Sequence, residues 1–341
     1  MKTAKNQTHA TRHTTHNPHH LKTASKSNPF ARAIQELLPT QPGPNTTHPP
    51  LALALSGGVD SILLAHSLHA QSIPFIALHF NHRWRERASD DDAKWLAAWC
   101  EERAIPLHIG RAKKKGPASE NQARTERWTF FKKTCRALSI PSIWTAHHAD
   151  DLVETFLLQL LRGAGPDGLT SLAPCSSMHG LETRRPWLGF WKEEILARAR
   201  SLNLTWREDA TNQQAAYARN RLRLHALPAL QKAIGRDPRP MIYRTAQIIT
   251  DENSYWQELF PKKWPAQVPV RELAAQPIAW QRRALRGWLK SQGVGNLNFD
   301  TIEAVRALLT QPKPSQVNLQ GGLFCRRQKS FLWIITPHSC K

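Results

Sequence analysis

The residues best suited to chemistry in this sequence lie in the stretch 56–61, which reads Ser-Gly-Gly-Val-Asp-Ser. Five apolar residues (51–55) precede it, and residues 59–70 carry apolar side chains at helical spacing, so we predict a buried strand, a glycine turn and a helix. Glycines let the backbone approach an anion, and the unpaired N–H groups of a first helical turn point towards it. The stretch therefore predicts a phosphate-binding loop, although it lacks the lysine of the common nucleotide loop. A simple tight turn is the structural alternative.

A second group of polar residues lies at 145–155, where the chain reads Thr-Ala-His-His-Ala-Asp-Asp-Leu-Val-Glu-Thr. Asp151 and Glu154 are three positions apart, which places them on one face of a helix, and His147 comes just before that helix. Two carboxylates beside a phosphate loop suit Mg²⁺ or the ammonium group of an amine substrate, and a nearby histidine suits proton transfer. The structural alternative is that Asp150 and Asp151 only cap the helix.

Strand and helix patterns alternate along residues 51–161 and predict the elements that position these two groups. Ser89 is the expected N-cap of the second helix. Such alternation predicts an α/β fold with a doubly wound parallel sheet, in which ligands bind at the carboxyl ends of the strands. Strands are expected at 51–55, 75–80, 105–109 and 142–146, and helices at 59–70, 89–103, 120–138 and 151–161. Six side chains fall at the strand ends: Ser56, His79, Asn81, His82, His147 and His148.

Composition divides the chain into four predicted regions. Residues 1–50 are basic and rich in Thr, His and Pro, which predicts a disordered tail with a short helix at 29–38. This acid-poor start also resembles an organelle transit peptide, but it contains few arginines. The other predicted regions are a catalytic domain at 51–172, a helical segment at 173–235 whose arginines near residue 220 would face phosphates, and a small helical and α+β region at 236–341.

The net charge and the cysteines limit the class of protein. The 341 residues include 47 Lys and Arg against 26 Asp and Glu, a formal charge of +21, which indicates a polyanionic partner and nucleic acid first. A merely soluble basic protein is the alternative. The five cysteines form no C-x-x-C pair, so no zinc or iron–sulfur ligand set is evident, and they favour a reducing compartment, the cytoplasm. No apolar stretch approaches the roughly 18–20 residues of a membrane span.

These motifs together resemble those of the tRNA(Ile)-lysidine synthetases, a family within the N-type ATP pyrophosphatases, or PP-loop proteins. The similarity covers about residues 51–230, whereas the N-terminal tail is not part of the family pattern and the region after 230 is short and weakly matched. The resemblance rests on Ser-Gly-Gly-Val-Asp-Ser (56–61), His-Phe-Asn-His-Arg-Trp-Arg (79–85), Glu-Asn-Gln-Ala-Arg-Thr-Glu-Arg-Trp (120–128), the motif at 145–155, Arg-Gly-Ala-Gly-Pro-Asp-Gly-Leu (162–169), Arg-Pro-Trp-Leu (185–188), Glu-Asp-Ala-Thr-Asn (208–212) and Arg-Asn-Arg-Leu-Arg (219–223).

The resemblance implies a reaction and a set of site residues. The family adenylates C2 of the wobble cytidine of tRNA(Ile) with a CAU anticodon, using ATP and Mg²⁺, and free lysine then displaces AMP to give lysidine. The implied pyrophosphate-binding residues are Ser56, Gly57, Gly58, Val59, Asp60 and Ser61. The implied catalytic residues are Asp60, His147, Asp151 and Glu154, with Asp60 and Asp151 as the Mg²⁺ ligands. The implied tRNA or substrate contacts are Arg124, Arg127, Arg162, Arg219, Asn220, Arg221 and Arg223.

Three other readings remain open at this point. The tRNA 2-thiocytidine-forming enzymes share the pyrophosphate loop but use cysteine pairs that this sequence lacks. NAD and GMP synthetases share the loop as well, yet they do not account for the basic segment at 219–223 or for the net charge. A non-catalytic RNA-binding protein on a former ATPase scaffold is the third reading; the intact loop and carboxylate motifs argue against it.

Overall fold

The computed structural model describes residues 28–39, 50–84, 87–113, 119–178, 180–208, 218–261, 263–311, 313 and 315–335. Most of the expected tail (1–27 and 40–49) and most of the motif at 208–212 lie outside these residues.

The first half of the chain forms a six-stranded sheet with the strand order β3-β2-β1-β4-β6-β5. All neighbouring strands are parallel except β5, which pairs antiparallel with β6 at one edge. The chain order reverses between β1 and β4, so the carboxyl ends of these two strands form the crevice where ligands bind in such sheets. The strands are β1 (Leu51–Ala54), β2 (Phe75–Asn81), β3 (Leu107–Arg111), β4 (Ser142–Trp144), β5 (Cys175–Met178) and β6 (Leu181–Arg184).

Helices cover both faces of this sheet, which confirms the predicted doubly wound fold. Successive strand residues point to opposite faces, so Leu53 packs against α1, α2, α3 and α7, and Ala52 packs against α4. The predicted helix at 59–70 matches α2 at both ends. The helices are α1 (Pro29–Leu37), α2 (Val59–Ala70), α3 (Arg87–Glu101), α4 (Glu120–Ala137), α5 (Ala149–Leu160), α6 (Pro166–Leu169) and α7 (Lys192–Ser201).

Helix α1 confirms the short helix predicted at 29–38, whereas its docking onto the core was not predicted. Phe30 and Ile34 are buried in the main core. The ring of Phe30 stacks on Phe190 at 4.2 Å and meets Trp187 edge-on at 5.1 Å. The composition of the tail did not indicate this docking, because only two large apolar residues of the helix are fully buried in the core.

We expect Phe30→Ala to lower the free energy of unfolding by about 3 kcal/mol, since it removes a buried aromatic ring and leaves a cavity. Deletion of residues 1–27 should leave stability unchanged, because it keeps Asn28, whose side chain accepts the N–H of Phe30 at 3.1 Å and caps α1. Urea unfolding of both variants measures the difference. Equal stability of Phe30→Ala and the parent chain would show that α1 does not contribute to the core.

Three further details differ from the sequence predictions. Strands β5 and β6 belong to the first sheet, so the predicted boundary at residue 172 falls inside it; their polar residues carry no apolar run that would indicate strands. Helix α3 begins at Arg87, so Ser89 lies in its first turn and is not the N-cap. A proline inside a helical pattern ordinarily predicts a break, but Pro228 sits in the first turn of a helix, where its missing N–H costs little.

The second half of the chain contains a helical segment and a smaller antiparallel sheet. Its four strands have the order β7-β10-β9-β8 and share a core with three helices, α11, α12 and α13. This arrangement agrees with the predicted small α+β region. No helix within the described ranges is long and apolar enough to cross a membrane. The elements are α8 (Ala218–Arg221), a π-helical turn (Leu222–Ala226), α9 (Leu227–Ile234), α10 (Arg239–Glu258), β7 (Gln267–Pro269), α11 (Val270–Ala274), α12 (Ile278–Ser291), α13 (Phe299–Thr310), β8 (Gln316–Asn318), β9 (Phe324–Gln328) and β10 (Phe331–Ile335).

Candidate active site

The loop between β1 and α2 has the geometry of an anion-binding turn. Gly57 has a φ of 91°, a left-handed conformation that side chains rarely adopt, and Gly58 caps α2. The Ser61 hydroxyl donates to the carbonyl of Gly58 at 3.0 Å and accepts the N–H of Ser56 at 3.2 Å. Ser61 is buried and shapes the loop from behind, whereas Ser56 is exposed at the loop surface. The free end of α2 thus faces solvent as a cradle for phosphate.

Asp60 is paired with a residue that the sequence analysis did not single out. The ammonium group of Lys192, the first residue of α7, lies 2.6 and 2.8 Å from the two carboxylate oxygens of Asp60. The main-chain carbonyl of Asp60 accepts the indole N–H of Trp187 at 3.1 Å. The Arg-Pro-Trp-Leu motif therefore supports the phosphate loop through Trp187, and α7 supplies a cation, Lys192, next to Asp60 of that loop.

A cavity of about 350 Å³ opens beside this loop at the carboxyl edge of the sheet. Its volume is within the range typical of small-molecule sites. One end has the polar residues of the loop, and aromatic rings line the other. Six of the predicted site residues border it: Ser56, Asp60, Ser61, Arg124, Arg127 and His147. The aromatic walls include Phe80, His82, Trp84, Trp128 and Phe131.

His147 enters the cavity from the end of β4, on the opposite side of the crevice from the loop. Its Nδ1 atom is 2.8 Å from the hydroxyl of Thr145. Burial and the neighbouring arginines, among them Arg185 and Arg219, lower the pKa of His147 to about 3, although Asp151 opposes them. The imidazole is therefore neutral near pH 7 and retains a nitrogen that can accept a hydrogen bond or a proton.

The two aspartates at the start of α5 cap helices through main-chain N–H groups, and Asp150 also binds an arginine side chain. A carboxylate oxygen of Asp151 accepts the N–H of His148 at 3.0 Å, and one of Asp150 accepts the N–H of Lys192 at 3.0 Å. The other oxygen of Asp150 accepts from Arg239 at 2.7 Å. Burial opposes ionisation of Asp150, but His148, the N–H of Lys192 and Arg239 hold its pKa well below the ordinary value. The capping alternative considered above thus describes part of what these residues do.

Glu154 lies one turn further along α5 and is 1% exposed. Its carboxylate accepts from the Nε of Arg223 at 2.7 Å, and the Nε of Arg219 lies 3.6 Å away. Burial raises the pKa of Glu154, with Arg223 acting in the opposite direction. Arg219 also lies 3.7 Å from Asp151. The structure therefore joins the predicted carboxylates to two of the predicted arginines, in a cluster behind the cavity.

The remaining predicted residues divide between the cavity and the surface. The Nη2 of Arg124 donates to the sulfur of Met178 at 3.4 Å. Arg162 is exposed just past the carboxyl end of α5, about 20 Å along the helix from His147 at 1.5 Å per residue, so the structure does not bring it to the cavity. Arg221 is exposed on α8, and Asn220 beside it is half-buried.

Two functional candidates, Lys192 and Arg239, were missed by the sequence analysis. Lys192 is 132 residues from Asp60, and Arg239 is 89 residues from Asp150. The only local signal for Lys192 is its place at a helix start, directly after the Arg-Pro-Trp-Leu motif and Trp191. Nothing in the pattern around Arg239 indicates its partner.

The donors at the loop fit Mg²⁺ only if a nucleotide supplies most of its ligands. Across the described residues, no group of three or more His, Cys, Asp or Glu side chains could hold a metal ion. Mg²⁺ is commonly held by one or two carboxylates together with substrate phosphates. Asp60, in the phosphate loop, fits that role once Lys192 releases its two carboxylate oxygens. Asp151, one oxygen of which accepts the N–H of His148, stays a predicted second ligand.

The sheet, the loop and the cavity define the class of this protein, and comparison with known proteins agrees. Residues 26–230 match the family model described as a PP-loop domain, and residues 269–333 match the TilS substrate binding domain. A U34-tRNA thiolase from Methanococcus maripaludis shares the fold, with a TM-score of 0.52 and 17% identity over 65% of this chain and 78% of that one. The chain is a PP-loop protein.

Curated relatives narrow this class to one family. The tRNA(Ile)-lysidine synthase of Thermosynechococcus vestitus is 32% identical over 300 residues, which cover 84% of this chain and 86% of the relative. That of Gloeobacter violaceus is 33% identical over 84% of this chain and 90% of the relative. The chain belongs to the tRNA(Ile)-lysidine synthase family, and it is an enzyme of that ligase type. The match at 269–333 also assigns part of the weakly matched C-terminal region to a substrate binding domain.

Proposed function

We propose that this protein joins lysine to C2 of the wobble cytidine of tRNA(Ile) with a CAU anticodon, by way of an adenylated tRNA, and releases AMP and pyrophosphate. The observation that carries the proposal is that the phosphate loop and His147 border one cavity, on either side of the crevice between β1 and β4. Family membership supplies the substrate class, and the described chain supplies cations for the phosphates and carboxylates for the amine of lysine.

In the first step, the C2 oxygen of the cytidine attacks the α-phosphorus of ATP, the bond to the bridging oxygen breaks, and pyrophosphate leaves. The N–H groups at the start of α2 bind the β- and γ-phosphates and stabilise the charge that builds on them. Arg124 and Arg127, on the wall of the same cavity, hold the nucleotide or the tRNA backbone. Asp60 would hold Mg²⁺ together with the nucleotide, and the ion would add to the neutralisation of this charge.

In the second step, an amine of free lysine attacks C2, and AMP leaves with the former C2 oxygen. Adenylation makes this possible because it converts a poor leaving oxygen into a good one. The amine must lose protons as the C–N bond forms; neutral His147 is placed to accept a hydrogen bond from the attacking amine, and the protons pass to water or to the departing AMP. Asp151 and Glu154 bind the ammonium form of the substrate, which requires Arg223 to yield its place on Glu154.

The tRNA is bound largely through its phosphates. The formal charge of +21 attracts a polyanion, and that attraction weakens steeply as salt rises. Arg219 and Arg223 lie next to Asp151 and Glu154, the two carboxylates proposed to bind the lysine substrate. Asn220 and Arg221 belong to the same short helical segment as these arginines. We place the reaction in the cytoplasm, where the described cysteines, all of them unpaired, remain reduced.

The proposal is tested by AMP release from ATP with purified protein, transcribed tRNA(Ile) with a CAU anticodon and free lysine, each omitted in turn. We expect release that needs both the tRNA and lysine, with a tRNA whose wobble cytidine is replaced by uridine as the matched control. Release that needs tRNA but ignores lysine would indicate another nucleophile, such as a sulfur donor. The absence of any release would favour a non-catalytic RNA-binding protein.

A further inference from the structure

The ion pair between Lys192 and Asp60 joins the phosphate loop to α7 beside the cavity, which Asp60 lines. Both carboxylate oxygens of Asp60 are engaged, at 2.6 and 2.8 Å from the same ammonium nitrogen. The two side chains are 36% and 26% exposed, so solvent and small ligands can reach them. Solvent-exposed pairs of this kind contribute little to stability, and the fold therefore gives no sufficient reason for a lysine at this position.

The main chain of Lys192 is anchored independently of its side chain. Its N–H donates to Asp150 at 3.0 Å, and Asp150 is held in turn by Arg239 at 2.7 Å. Asp60 is held through its main-chain carbonyl by Trp187. Each partner can therefore release the other's side chain without disturbing the backbone of the loop or of α7.

The charges of a Mg²⁺-nucleotide explain how binding would separate Lys192 from Asp60. While Lys192 contacts Asp60, the pair as a whole is neutral and Asp60 does not attract an incoming cation. A Mg²⁺-nucleotide brings a cation that needs the Asp60 oxygens and phosphates that need a cation. The ammonium of Lys192 cannot keep both oxygens of Asp60 once the metal takes one, and its long flexible stem can turn to the phosphates bound at the adjacent end of α2.

We propose that Lys192 is a phosphate-binding residue of the nucleotide site, held on Asp60 while the site is empty and transferred to the β- or γ-phosphate when a Mg²⁺-nucleotide binds. The inference rests on the proposed function only in requiring that this cavity bind ATP. In the empty enzyme the pair prevents Asp60 from capturing a metal ion alone. In the loaded enzyme Lys192 adds a positive charge at the leaving pyrophosphate.

The test is calorimetric binding, without tRNA, of Mg²⁺ alone and of α,β-methylene-ATP with and without Mg²⁺, to the full chain and to Lys192→Gln. We expect the variant to bind the Mg²⁺-nucleotide at least about tenfold more weakly, because a charged phosphate contact is lost. We expect it to bind Mg²⁺ alone more tightly, because Asp60 is then unpaired. The two affinities thus change in opposite directions, which loss of a structural contact would not produce.

Two control variants complete the experiment. Lys192→Arg keeps the charge and should retain most of the nucleotide affinity, whereas Lys94→Gln, which breaks a pair with Asp91 on the surface of α3, should change neither affinity. Unchanged affinities in Lys192→Gln, or equal losses of both together with a lower Tm, would overturn the inference. If the parent chain itself binds no nucleotide, the proposed function fails together with this inference.

Discussion

Asp60→Asn is expected to reduce ATP-dependent AMP release at least about a hundredfold, the scale of losing one preorganised charge contact in a transition state. Asp60 is the only carboxylate of the phosphate loop, and it lies opposite Lys192 at the mouth of the cavity. The amide keeps the shape of the side chain, and the contact of Trp187 is with the main chain, so the loop should fold normally. Initial rates of AMP release at saturating tRNA and lysine measure the effect.

The same variant should bind tRNA(Ile) nearly as well as the parent chain, because the arginines proposed to face the tRNA are unchanged. Asp91→Asn is the matched control, since it removes one carboxylate from the exposed surface of α3 and should leave AMP release intact. Normal AMP release by Asp60→Asn would remove the phosphate-loop assignment. Equal loss of catalysis and of tRNA binding would instead indicate that the variant is misfolded.

Glu154→Gln is expected to raise the lysine concentration for half-maximal activity more than that for ATP, and to lower the free energy of unfolding by about 3 kcal/mol. The stability loss follows because the carboxylate is buried and removing its charge leaves Arg223 without its counter-ion and Arg219 with Asp151 alone. Steady-state kinetics with each substrate varied and urea unfolding of the same preparations measure the two effects.

A matched control for this change exists in the C-terminal region. Glu303 also accepts from two arginines, Arg282 at 2.7 Å and Arg306 at 2.8 Å, but near the surface. Glu303→Gln should therefore cost far less stability and leave the lysine dependence unchanged. Combining Glu154→Gln with Arg223→Gln should recover part of the stability. An unchanged lysine requirement in Glu154→Gln would exclude its role as the ammonium partner.

Local patterns were sufficient for the elements that carry the phosphate loop. The apolar run before residue 56 and the helical spacing after it predicted β1 and α2, because both elements are set by contacts within a few residues of chain. Strands β5 and β6 were not predictable in this way, since residues 175–178 read Cys-Ser-Ser-Met, and they join the sheet only because β6 pairs with the open edge of β4 and β5 then pairs with β6. Helix α1 was recognised as a helix, but its docking depends on Trp187 and Phe190, far along the chain.

The sequence by itself determined the loop at 56–61 from residue types at short spacing, and the doubly wound class of fold from the alternation of strands and helices. That class in turn predicted that His147 lies at the same edge of the sheet as the loop. Only the tertiary structure decided which charges meet. Lys192 reaches Asp60, Arg239 reaches Asp150 and Arg223 reaches Glu154 across separations of 132, 89 and 69 residues. The reason is physical: an ion pair acts over a few ångströms of space, and nothing in the spacing of two distant residues encodes that they will come within that range.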